Sequence, residues 1–165
     1  MTTRANIVAA IVARLQGILV SGGYASDAGR SVFEWFPDNL AAPPSPCVLV
    51  VDMDEAIAPV GGWQTEHTLA VTIEGQVAYA PEVDEQGEPD QDEDTIGDVR
   101  AILGDIVRAI MDPSDRTLGG VCDSIQPTSG GTIKLEQRAE DTVASCVLTF
   151  EVRYRTERGD WSVKI

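Results

Sequence analysis

The chain has 165 residues, 43% of them hydrophobic but only 5% aromatic, and a formal net charge of −15. That length suits one aliphatic domain able to bury a single core. The charge argues against sequence-specific nucleic-acid binding, where Lys and Arg must neutralise phosphates, and no apolar run approaches the roughly 20 residues of a membrane helix.

The first predicted element is a helix over residues 3–20. Ile7, Ile11, Leu15 and Ile18 recur at helical spacing, and Val8, Val12 and Leu19 widen the stripe. Thr2 or Thr3 is placed to cap it, and Ser21-Gly22-Gly23 to end it. Arg4, Asn6, Arg14 and Gln16 interrupt the apolar residues, so this reads as an amphipathic helix and not a signal peptide. A loop over residues 24–30 leads to a short strand at 31–36, then to a proline-rich connection at 41–46. Cys47 to Met53 opens with an apolar run suited to a strand buried on both faces.

From Glu66 to Tyr79 the pattern changes to strict alternation. Leu69, Val71, Ile73, Val77 and Tyr79 face one way, while Glu66, Thr68, Thr72, Glu74 and Gln76 face the other. Gly75, inside this strand, marks a bulge or a close backbone approach. A second helix spans about 92–111, with Ile96, Val99, Leu103, Ile106 and Ile110 on one stripe and Pro113 just beyond its end. Two weaker strands, near 121–125 and 132–136, flank an expected turn at Ser129-Gly130-Gly131. The last strand has the most regular pattern. Ala144, Cys146, Leu148, Phe150, Val152 and Tyr154 share one face, and Ser145, Thr149, Glu151, Arg153 and Arg155 share the other. Beyond it, Trp161, Val163 and Ile165 alternate in a tail, residues 157–165, that reads as a docking segment.

This order predicts an α+β fold: a mostly antiparallel sheet with two helices packed on one face, in a single domain over residues 1–165. Three scattered cysteines, Cys47, Cys122 and Cys146, read as reduced thiols in a cytosolic setting.

Catalytic signatures are sparse. His67 is the sole histidine, so no HExxH motif exists, and no GxSxG elbow accompanies it; it reads as a packed strand residue. The pairs Gly61-Gly62, Gly119-Gly120 and Gly130-Gly131 lack the lysine and spacing of a phosphate-binding loop and read as turns. Residues 82–94 form an acidic loop containing Asp84, Glu85, Glu88, Asp90 and Asp92 and no basic residue. Asp90-x-Asp92-x-Asp94 imitates the start of a calcium loop. Thr95 then replaces the required glycine, and Ala101 the bidentate glutamate. The expectation is a non-enzyme with no cofactor and no metal, its acidic loop solvated.

The chain resembles the tail terminator proteins of long-tailed bacteriophages. The resemblance rests on Ile7-x-x-x-Ile11-x-x-x-Leu15, the loop from Tyr24 to Gly29 with Val32, and Pro46-Cys47-Val48-Leu49-Val50. It continues through His67-Thr68-Leu69-Ala70-Val71, Asp105 to Ile110, and Phe150-Glu151-Val152-Arg153-Tyr154-Arg155-Thr156 followed by Gly159-Asp160. It implies an α+β subunit without cofactor or catalytic residues, forming a homohexameric ring that caps the tail tube and stops its polymerisation. The expected partners are the tube protein and a head-completion (stopper) protein, with DNA passing through the ring unread and no membrane involved. The expected location is the virion neck, after assembly in the host cytoplasm. On this reading Arg153, Arg155, Arg158, Asp160 and Trp161 form a subunit or tube interface, with the two strand arginines pairing with a neighbour's carboxylates. The acidic loop faces the lumen or a partner. The alternatives are another neck, head-completion or tail component, or a cation- or partner-binding module built on the acidic loop.

Overall fold

The computed structural model describes residues 2–35, 44–79, 93–138, 141–157 and 160–164. Helix α1 (Thr3–Leu15) starts where the Thr2 hydroxyl accepts the Ala5 amide at 3.3 Å. It ends five residues before the expected Val20, and Gly29 explains why. The Gly29 amide donates to the Ile18 carbonyl at 2.9 Å. A Cβ on Gly29 would sit 2.6–2.8 Å from the carbonyls of Leu15, Ile18 and Gln16. The returning loop therefore lies directly against the helix terminus, which only glycine permits.

Strand β1 (Val32–Glu34) pairs in parallel with β2 (Cys47–Pro59). The remaining pairings are antiparallel: β2 with β3 (Gln64–Tyr79), β3 with β5 (Asp141–Glu157), and β5 with β4 (Ser124–Arg138). The sheet order is β1-β2-β3-β5-β4, so the last long strand lies inside the sheet. Helix α2 (Glu93–Ile110) and α1 join the inner residues of every long strand in one core, so both helices cover the same face. The expected α+β class is what the structure has.

Each alternating pattern serves this arrangement. Leu69, Val71 and Ile73 of β3 and Ala144 to Tyr154 of β5, taken at every second position, are buried under the helices. Gly75 is the close approach anticipated above: a Cβ there would meet Ile102 Cγ2 of α2 at 2.4 Å and Cys146 Sγ at 3.1 Å. On the opposite sheet face Gln76 and Ser145 are buried as well, beside Cys47, so that end of the sheet is enclosed on both sides.

One sequence expectation about the strands needs correction. The weak strands at 121–125 and 132–136 are one strand, β4, and the glycines between them make no turn. The register shifts between Pro127 and Ser129 and again between Gly130 and Thr132, marking bulges. Gly130 has φ 135°, and a Cβ on it would lie 2.5 Å from the Val147 carbonyl. The expected docking tail at 157–165 contributes a strand to the sheet along its backbone. Residues Asp160–Lys164 form β6, which pairs with β5 at Thr156 and Glu157, just past the point where β4 ends at Ser124↔Arg153. Gly61-Gly62 is a turn as expected, closing the β2–β3 hairpin.

Candidate functional site

Four places hold residues whose placement asks for a function: the polar sheet face, a buried polar chain beneath α1, and each of the two ends of the β3 ladder.

On the polar face, Arg153 and Arg155 project from β5 as their alternation requires, with side chains 50% and 46% exposed. Both have carboxylates within their own chain. Arg153 Nε donates to Glu151 at 2.8 Å, and Arg155 Nη2 to Glu66, its cross-strand neighbour, at 3.2 Å. Gln126 of β4 donates to the same Glu151 carboxylate at 3.2 Å. The expected pairing with a neighbouring subunit therefore has an intrachain competitor, and at this exposure each pair contributes about 0–1 kcal/mol. Asp160 and Trp161 lie on β6, where only the backbone is described. Arg158 and the acidic-loop residues Asp84, Glu85, Glu88, Asp90 and Asp92 lie outside the described residues.

The buried chain was not anticipated from the sequence. A bulge in β2 between Asp52 and Glu55 sets two residues opposite one, so Asp52 faces Val71 and Glu55 faces Leu69. Both acids thereby lie on the covered face. Without the bulge, a separation of three would send them to opposite faces. Glu55 Oε1 lies 3.2 Å from His67 Nδ1 and also accepts the Tyr154 phenol. His67 Nε2 meets the Thr156 hydroxyl at 2.9 Å. The imidazole and the Tyr154 ring stack at 4.6 Å between centroids, 8° from parallel. From α1, Arg4 Nε donates to Asp52 at 2.6 Å, and its Nη1 lies 3.8 Å from Glu55 Oε2. Burial, and then the bond to Glu55, pushes the Tyr154 phenol above its ordinary value. A carboxylate only accepts, so Nδ1 carries the proton facing Glu55.

Hydroxyl, imidazole and carboxylate in this sequence is the order of a nucleophile, its base and an orienting group. Yet His67 is fully buried and Thr156 is 1% exposed within a paired strand. What the arrangement does in this conformation is satisfy buried polar atoms and tie α1, β2, β3 and β5 together. Among the described residues no cluster of three or more His, Cys, Asp or Glu is placed to hold a metal ion.

At the turn end of the ladder, residues 56–63 are exposed throughout, including Ile57, Val60 and Trp63, with Trp63 81% exposed. From Ala56 to Thr65 no side chain is charged, on a chain of net charge −15. At the other end lies a cavity of about 280 Å³ whose apolar walls include Val20, Pro46, Val77, Ala101 and Ile102. The loop beside it is pinned by α2. Asp105 accepts the Ala25 and Ser26 amides at 3.1 and 2.8 Å and the Ser26 hydroxyl at 2.7 Å. One turn further, Arg108 donates to the Gly23 carbonyl at 2.6 Å and covers the Tyr24 ring at 4.7 Å.

No protein-family model matches the chain, and no curated protein matches it. No helix among the described residues is long and apolar enough to cross a membrane.

Proposed function

We propose that this chain is a self-assembling structural subunit of the tail terminator type, forming a ring on the end of a phage tail tube and offering the surface to which the head is joined. The observation that carries the reading is the uncharged hairpin end, exposed throughout residues 56–63. An acidic molecule repels its own copies, and a contiguous apolar, charge-free segment is where a second macromolecule approaches at least electrostatic cost. The burial of the one hydroxyl–imidazole–carboxylate chain supports a role without catalysis. The acidic balance is consistent with a lumen through which DNA slides without adhering. Arg153 and Arg155 remain proposed contacts to the tube or to a neighbouring subunit, reached by exchanging Glu151 and Glu66 for external carboxylates.

The test is tube polymerisation in the presence of the purified protein, with lengths measured by electron microscopy. Wild-type protein is expected to give tubes of uniform length capped by a ring of six subunits. Arg153→Glu combined with Arg155→Glu is expected to stay folded, since each lost ion pair contributes about 0–1 kcal/mol, and to leave tubes of uncontrolled length. Tubes that grow unaltered with wild-type protein present would overturn the reading.

A further inference from the structure

The two features at opposite ends of the β3 ladder fit one another, and they cannot meet within one molecule. Trp63 precedes Gln64, the first residue of β3, and Val77 lies 13 residues further along the same strand. At roughly 3.3 Å per residue that separation is about 43 Å. The strand between them is paired on both sides, with β2 and with β5, so it cannot fold back. Trp63 presents an indole to solvent at a glycine turn. Six of the ten residues lining the cavity beneath Val20 and Ile102 are apolar, and the other four are Ser26, Ser45 and the carboxylate-bearing Asp27 and Asp98. An indole seeks an apolar enclosure with an acceptor for its N–H. The cavity is an open cleft that supplies an apolar wall and carboxylate acceptors, and Val20, itself exposed, extends its apolar surface outward.

We propose that the Trp63 hairpin end of one copy seats in the Val20–Ile102 cavity of a second copy, in a head-to-tail contact. The occupant is another copy of this chain because knob and socket are both present on it and lie at opposite ends. A contact of this kind repeats around a ring or along a filament and does not pair two copies by a two-fold axis. The charge-free arm brings the copies together without adding to the repulsion between two acidic bodies. This deepens the proposed function and rests on its premise that the chain self-assembles.

The experiment uses two single-cysteine additions to the full chain. The native Cys47, Cys122 and Cys146 are fully buried, so introduced surface thiols react first. Gln64→Cys lies beside an intact Trp63, and Ala25→Cys lies on the exposed rim of the cavity. The two proteins are mixed and treated with a short bis-maleimide, and conjugates are read by mass spectrometry. A Gln64→Cys/Ala25→Cys conjugate is expected, and adding Trp63→Ser to the first protein should lower its yield by about tenfold or more, the scale of an interface hot spot. Self-conjugation of Gln64→Cys alone would mean the tips meet each other, and would overturn the proposal. So would absence of the mixed conjugate, or a yield indifferent to Trp63→Ser. Electron microscopy of Trp63→Ser separates this idea from the ring itself. Intact rings would discard the knob and keep the assembly reading. A Trp63-dependent mixed conjugate without any ring would keep the knob and discard the tail terminator reading.

Discussion

The two ends of the β3–β5 ladder show the same alternation in sequence and fill their covered face by opposite means. Near Gly75, α2 lies flush on the sheet, with Ile102, Ile106 and Cys146 around a residue that has no side chain. Near His67, the space beneath α1 is filled by Glu55, Tyr154, Thr156 and Arg4, joined through hydrogen bonds and one stacked pair. Close packing of apolar groups tolerates few volume changes but demands no partners. A buried polar chain tolerates small changes of volume but fails when one partner is removed. The difference teaches that a periodic strand pattern fixes which face is covered and leaves open how the cover is made.

Removing Glu55 should break the polar end and produce the largest effect. Glu55→Ala leaves two buried donors, His67 Nδ1–H and the Tyr154 hydroxyl, without their acceptor. At about 1–3 kcal/mol each, the loss is about 4 kcal/mol, read as the midpoint shift in urea unfolding at constant slope. Glu55→Gln keeps an acceptor and should recover much of it. Equal destabilisation by both variants would mean that charge, and not acceptance of the two hydrogen bonds, is what the site requires. At the apolar end the sensitive change is an added methyl. Gly75→Ala drives a Cβ against Ile102 and should cost about 2–3 kcal/mol, roughly 4–12 °C in Tm for a domain this size. Ile102 is the nearest of three neighbours, with Cys146 Sγ at 3.1 Å and Ile106 Cδ1 at 3.3 Å, so adding Gly75→Ala to Ile102→Ala should cost less than Gly75→Ala costs in the wild type. A strictly additive double variant would contradict the close contact described here.

The smallest effect concerns alkaline pH, to which both ends contribute with the same sign. Burial pushes the Cys146 thiol from its ordinary 9.0 up to about 11. Below pH 9 the thiol is protonated whether the chain is folded or not, and its contribution is fully present. As pH rises towards 11 only the unfolded chain ionises, so that contribution is lost. By pH 9, the ordinary thiol value, that loss has begun. The raised Tyr154 phenol acts in the same direction at higher pH. Unfolding free energies between pH 8 and pH 10 should fall less steeply for Cys146→Ala than for the wild type. Identical slopes would show that the thiol ionises equally in both states.

The same contrast explains what was legible in the sequence. The faces of β3 and β5, the presence of two helices and the role of Gly75 follow from periodicity and from one glycine inside an apolar run. The polar end was not legible because the bulge between Asp52 and Glu55 breaks the parity on which face assignment depends. Read by strict alternation, one of those acids belongs outside. The dense acidic run Asp52-Met53-Asp54-Glu55 at the end of an apolar strand was the available signal. Bulges also turned Gly130-Gly131 from an expected turn into the interior of β4. The end of α1 does not follow from periodicity because Gly29, in the loop that returns past the helix, determines it by close backbone contact. The cavity and the exposed hairpin end lie at opposite ends of a strand, and neither leaves a motif in the linear sequence.

The position of β5 inside the sheet has a consequence for how the protein is made. Its partner β3 is separated from it by 63 residues at Tyr79↔Thr142 and by 93 at Gln64↔Glu157. Pairings of such long range form slowly, because the chain between them must be ordered before they stabilise anything. During synthesis β3 leaves the ribosome well before the strand that belongs between it and β4, and β4, made directly before that strand, has no partner until it follows. A nascent chain stalled before residue 141 therefore exposes two sticky edges and half a core, a target for chaperones. The subunit becomes competent to assemble only after the central strand has been made, so incomplete chains are kept out of the assembly by the order in which the sheet is built.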